Sequence, residues 1–209
     1  MAFGRNVFIN CPFDGEYWDL LRPILFCIIY LGFEPRIALE RSDSGENRID
    51  KILELIRESQ YGIHDLSRLQ ANEAGEFFRL NMPFELGVDY GCKAYAGGAW
   101  SEKKILILEA ESHRFKAAIS DLSGSDIGVH KNEPVAANDE VRNWLAQSLD
   151  NSTPGPAAVW GAFNEFMGDN YLSLKERGYS DENIAAQPMG ELIGCMRTWV
   201  TNRNPKHLQ

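Results

Sequence analysis

Three polar residues far apart in the chain, Asn10, Asp65 and Glu85, each stand where an α/β protein presents side chains to a ligand. Asp65 ends the short apolar segment Gly62-Ile63 and opens Asp65-Leu66-Ser67, as a buried parallel strand does when it delivers a polar group at its carboxyl end. Asn10 ends a similar segment, Asn6 to Ile9, and the loop Asn10-Cys11-Pro12-Phe13-Asp14-Gly15 that follows adds Asp14. Pro83 suits the first position of a helix, where its fixed φ helps and its missing N–H is not needed. Glu85 is then expected in the first helical turn, where backbone N–H groups and the helix dipole favour an ionised carboxylate. Taken singly, each acid has an ordinary use as a turn-former or a helix-start stabiliser. Their convergence on one rim of a sheet is what points to chemistry.

Asn, Asp and Glu around a cleft suit a hydroxyl-rich neutral group such as a ribose. Cleavage of a C–N glycosidic bond passes through an oxocarbenium-like state, which a carboxylate stabilises or captures covalently. Neither Gly-x-Gly-x-x-Gly nor a Gly-x-x-x-x-Gly-Lys-Ser/Thr loop occurs, so hydride and phosphoryl transfer lose ground. Cys11 has no neighbouring His and reads as a small loop residue. His64 precedes Asp65 and so faces the other side of a strand, where packing is the expected role. Trp144, Trp160 and Trp199 fit helical apolar faces better than a base-stacking platform.

The elements that must position these groups follow in order. From Tyr17 to Leu31, Trp18, Leu21, Leu25, Ile28 and Ile29 recur at helical spacing up to Gly32, with Pro23 marking a kink or restart. Phe33 to Leu39 reads as a second strand and Glu40 to Gly45 as a polar loop. Ile49, Ile52, Leu53 and Ile56 define an amphipathic helix leading to the Gly62 strand. Ile105-Leu106-Ile107-Leu108 is the clearest buried strand, with Glu109 after it. Phe115 to Ile119 reads as helical, Ser120 to Asp126 as a loop with two more carboxylates, Ile127 to His130 as a short fifth strand and Asp139 to Leu149 as a helix. This alternation implies a flavodoxin-like, doubly wound, mainly parallel five-stranded sheet over residues 1–150. Asn151-Ser152-Thr153-Pro154-Gly155-Pro156 is the linker candidate, and residues 151–209 form a helical C-terminal appendage, with helices over Ala157 to Leu174 and Met189 to Val200.

Composition bounds the partners. The chain has 209 residues and a net charge of −9, without the basic footprint that extended nucleic acid requires. Cys11, Cys27, Cys92 and Cys195 are scattered, so neither a disulfide framework nor a zinc site is supported. The longest apolar run, Ile24 to Leu31, is too short to span a bilayer, the N-terminus lacks the apolar core of a signal peptide, and the cytoplasm is the expected compartment.

Asp65-Leu66-Ser67 followed by Asn81-Met82-Pro83-Phe84-Glu85-Leu86-Gly87 resembles a pattern of bacterial TIR-like nucleotide-binding proteins, and is similar to the nucleoside 2-deoxyribosyltransferase superfamily. Val7-Phe8-Ile9-Asn10 looks like the first strand of the same folds. The resemblance covers roughly residues 6–130. It implies a catalytic Glu85 and a substrate-orienting Asp65, with Asn10, Asn81 and Asp14 as further substrate-binding candidates. It also implies an N-glycosidase or N-ribosyl transferase that takes NAD, a nucleotide or a nucleoside as substrate rather than as cofactor. The alternative is a nucleotide-sensing, TIR-like signalling module without turnover. Bacterial anti-phage defence, with a defence-system partner protein, and a homodimer using the aromatic-rich segment Trp160 to Tyr171 are the corresponding expectations. The chain departs from the transferase pattern in lacking Gly-Thr before the nucleophile and in a longer spacer, Leu69 to Leu80. Arg68, Phe78 and Arg79 in and around that spacer are candidate phosphate or base contacts.

Overall fold

The computed structural model describes residues 3–40, 43, 45–71, 79–117, 119–150 and 152–208, so Phe78, Asn151 and part of the Glu40 to Gly45 loop lie outside the described residues. Strands β1 (Asn6–Asn10), β2 (Glu34–Ile37), β3 (Tyr61–Asp65), β4 (Lys104–Glu109) and β5 (Ile127–Val129) form one sheet in the order β2-β1-β3-β4-β5. Every adjacent pair is parallel. Reversal of the strand order beside β1 makes β1 and β3 the flanks of the switch point, and their register places Asn10 opposite His64.

Alternation along β1 shows how the two faces are covered. Val7 and Ile9 enter the larger core with α1 (Trp18–Tyr30) and α4 (Pro134–Ala146), whereas Phe8 meets Ile52, Leu55 and Ile56 of α2 (Arg48–Arg57) on the other face. Helix α3 (Asn81–Tyr95) joins α2 there through Val88 and Cys92. The C-terminal helices α5 (Pro156–Glu176) and α7 (Met189–Arg203) lie over α1, with the short α6 (Asp181–Ala185) between them in sequence. Phe26 of α1 packs against Phe163, Phe166 and Trp199 with centroids 5.5–5.7 Å apart, so the helical C-terminal part shares the core of the sheet. Phe163 and Phe166 are thereby used within the chain, and the Trp160 to Tyr171 segment offers less outward apolar surface than its composition suggests.

Three departures from the sequence expectation concern prolines. Helix α1 runs unbroken through Pro23, which is buried in its second turn. Helix α4 begins at Pro134 rather than at Asp139, with proline at the helix start. Helix α3 begins at Asn81, two residues before Pro83; proline fits within a first turn because the early N–H groups have no helical partners. Glu85 therefore stands in the second turn of α3. Among the described residues no helix is long and apolar enough to cross a membrane.

Candidate active site at the carboxyl ends of the strands

Asp65 ends β3 on the face covered by α1, and both of its oxygens are engaged. The Ser67 N–H donates to Oδ1 at 2.8 Å and the Tyr17 hydroxyl donates to Oδ2 at 2.5 Å. His130 Nε2 lies 3.1 Å from the same Oδ2, off the axis of a well-aligned hydrogen bond, so this contact is chiefly electrostatic. The Asn132 N–H donates to His130 Nδ1 at 3.0 Å, which leaves the ring proton on the nitrogen that faces Asp65. Burial pushes the Asp65 carboxyl up, but the contacts from His130, Ser67 and Tyr17 outweigh it and hold the group below its ordinary value. Burial and the Asp65 charge push the Tyr17 phenol well up, so it remains a donor. Asp65 is thus an ionised anchor between the loops after β1 and β5.

Tyr17→Phe is expected to cost about 1–3 kcal/mol by removing one donor from a buried carboxylate. Asp65 has a depressed folded pKa, so its contribution is present above its unfolded value and is lost as pH falls through the folded one. In the variant that acid loss should begin at higher pH, which thermal melts across the acid range will show.

Asn10 points to the opposite face. Its Nδ2 donates to the Met82 carbonyl at 2.8 Å, which fixes the orientation of the amide, and lies 3.1 Å from His64 Nδ1. His64 Nδ1 must then accept, so Nε2 carries the proton and donates to Asp89 Oδ2 at 3.0 Å. Lys103 Nζ completes the buried chain, 3.0 Å from Asp89 Oδ1 and donating to the carbonyls of Ile56, at 2.9 Å, and Ser59. Gly62 makes this crossing possible, because a Cβ there would lie 2.1 Å from Asp89 Oδ2. Gly62→Ala should accordingly cost about 1–3 kcal/mol in chemical denaturation, as an overpacked core does.

Helix α3 carries Glu85 into the edge of this network. The side chain is only 4 % exposed, and burial pushes its carboxyl above the ordinary value, against smaller opposing pulls from Asn81, Arg48 and His64. The helix start therefore does not dominate, contrary to the sequence expectation, because Glu85 lies a turn further in and is desolvated. Asn81, exposed at the head of α3, places Nδ2 3.5 Å from Glu85 Oε1. Cys11 lies within the fields of Asp65, Glu85 and Asp14; burial first, and then those charges, push its thiol well up, so it stays protonated. Asp14 caps the turn before α1 by accepting from the Tyr17 N–H at 2.9 Å and forms an ion pair with Arg79.

A cavity of about 590 Å³ opens at these strand ends, lined by Asp14, Glu16, Ser67, Arg68, Arg79 and Arg114 among others, a size that suits a small organic ligand. Asp14 thus reaches the cavity. Asp65 and Asn10 act behind its wall, and Glu85 is not among the lining residues. Sequence reasoning missed Tyr17, Asp89, Lys103, His130 and Arg114; Gly62 inside a strand was the available signal that another group approaches closely there. Among the described residues no group of three or more His, Cys, Asp or Glu is placed to hold a metal ion. Comparison with protein-family models, curated proteins and solved structures finds no match for this chain.

Proposed function

We propose that the chain breaks a C–N glycosidic bond, as an N-glycosidase or N-ribosyl transferase acting on NAD, a nucleotide or a nucleoside. The observation that carries this reading is Glu85: a desolvated carboxyl at the switch point of the sheet, with Asn81 beside it, and with the charges of Glu85 and the anchored Asp65 both felt by Cys11. A carboxylate stripped of water is a better nucleophile and a stronger partner for developing positive charge. Glu85 attacks the anomeric carbon, and the glycosidic electron pair leaves with the base; a nicotinamide accepts that pair without protonation, whereas a purine or pyrimidine takes up a proton from solvent. Water, or a second base, then displaces Glu85, and water releases a proton as it does so. Asn81 steadies the carboxylate, whereas Asp65 and Asn10 fix the loops and the α3 start around it. The motif resemblance to deoxyribosyltransferases and TIR-like proteins supports the same assignment.

The test is incubation with NAD, ATP, nucleoside monophosphates and deoxynucleosides, with chromatographic detection of released nicotinamide or base. Release from at least one of them supports the reading. Intact substrates throughout, with stoichiometric ligand binding by calorimetry, would replace it with the nucleotide sensor.

A further inference from the structure

The geometry points to a phosphate subsite in the cavity at the strand ends, making the substrate a nucleotide rather than a free nucleoside. This inference rests on the glycosidase reading for the rest of the substrate. Arg68, Arg79 and Arg114 converge on one cavity in a chain whose net charge is −9, an uneven distribution that general solvation does not require.

Two of these guanidiniums are already held. Arg79 is paired with Asp14, and Arg114 is tied to Glu109 and to the Ser67 carbonyl, while Glu109 also accepts from the Ala110 N–H at 2.7 Å. These contacts fix two planar forks along the wall. Arg68 differs. It is half-buried, and its Nε is buried with no hydrogen-bond partner among the described residues. Beside it Ser67, 5 % exposed, has a buried hydroxyl that is likewise without a partner. Buried donors of this kind seek an acceptor, and a phosphate offers several charged oxygens with the spacing a guanidinium fork matches. Asp14 and Glu16 line the cavity too; Asp14 is paired with Arg79 and Arg114 with Glu109, so the anion belongs on the Ser67 and Arg68 side. Because this cavity and Glu85 both lie at the switch-point end of the sheet, a phosphate held here leaves the sugar to reach toward α3.

Pyrophosphate is a suitable probe because it has no glycosidic bond, so its binding does not depend on turnover. Calorimetry with the wild-type chain should show binding that weakens at higher salt, with at least about a tenfold loss in Arg68→Ala and a smaller loss in Ser67→Ala. AMP should displace pyrophosphate from Glu85→Gln protein at concentrations at least about tenfold lower than adenosine. Absence of pyrophosphate binding to the wild-type chain, equal binding to wild type and Arg68→Ala, or equal competition by AMP and adenosine overturns the subsite. Phosphate-dependent binding without base release from any nucleotide leaves the subsite standing and removes the glycosidase reading instead.

Discussion

Glu85→Gln is expected to lower the rate of base release by at least about a thousandfold while leaving the chain folded. The amide keeps the shape and the Asn81 contact but can neither attack an anomeric carbon nor balance its charge. The same substitution should raise the melting temperature at neutral pH. Burial raises the folded pKa of Glu85 above its unfolded value, so the folded state binds the proton more tightly and ionisation opposes folding. That penalty is present above the folded pKa and absent below the unfolded one, and glutamine resembles the protonated form. The stabilisation should therefore fade as pH falls into the acid range. A catalytic group kept at the expense of stability is the usual reason for such a trade. Activity should show an acid limb above the ordinary glutamate range, because the reacting form is the carboxylate. Steady-state rates and thermal melts of the two proteins from acid to neutral pH decide this; full activity in Glu85→Gln, or a lower melting temperature at neutral pH, would sink the assignment.

The sheet was legible because its central strands are largely buried on both faces and so appear as short apolar runs punctuated by helical periods. Ile105 to Leu108 is the plainest case, and it lies within β4 in the observed structure. Helix boundaries were less legible. Pro83 reads as a helix start from its own geometry, yet Leu80 already has helical backbone angles and α3 begins ahead of the proline. That shift of two residues turned Glu85 from a dipole-stabilised first-turn acid into a desolvated one. Asn10, Asp65 and Glu85 were located by their strand and helix ends, whereas their partners were not. Lys103 precedes a strand and carries no local signal of burial, but the chain folds it to 1 % exposure against Asp89. Contacts such as His130 to Asp65 join residues from different crossovers, and no local pattern records them.

The largest effect on stability should come from that buried charge chain. Asp89 and Lys103 are both without solvent exposure, and Asp89→Asn keeps the side-chain shape while leaving the Lys103 ammonium with only two carbonyls for company. Removing one partner of a buried pair costs about 3–5 kcal/mol, which for a chain of this size lowers the melting temperature by on the order of 10 °C. Lys103→Met should cost a comparable amount, because it strands the Asp89 carboxylate beside a histidine. The double variant Asp89→Leu with Lys103→Met replaces the pair by apolar groups and should be more stable than either single charge removal, since no uncompensated charge stays inside. It should still fall short of the wild type, because His64 Nε2 loses its acceptor. Activity should fall as well: His64 fixes Asn10, Asn10 holds the Met82 carbonyl in the first turn of α3, and the next turn carries Glu85. Urea titrations of the four proteins give the comparison. Single variants within about 1 kcal/mol of the wild type, or a double variant less stable than both, would show that the buried pair does not hold the Asn10 side of the site in place.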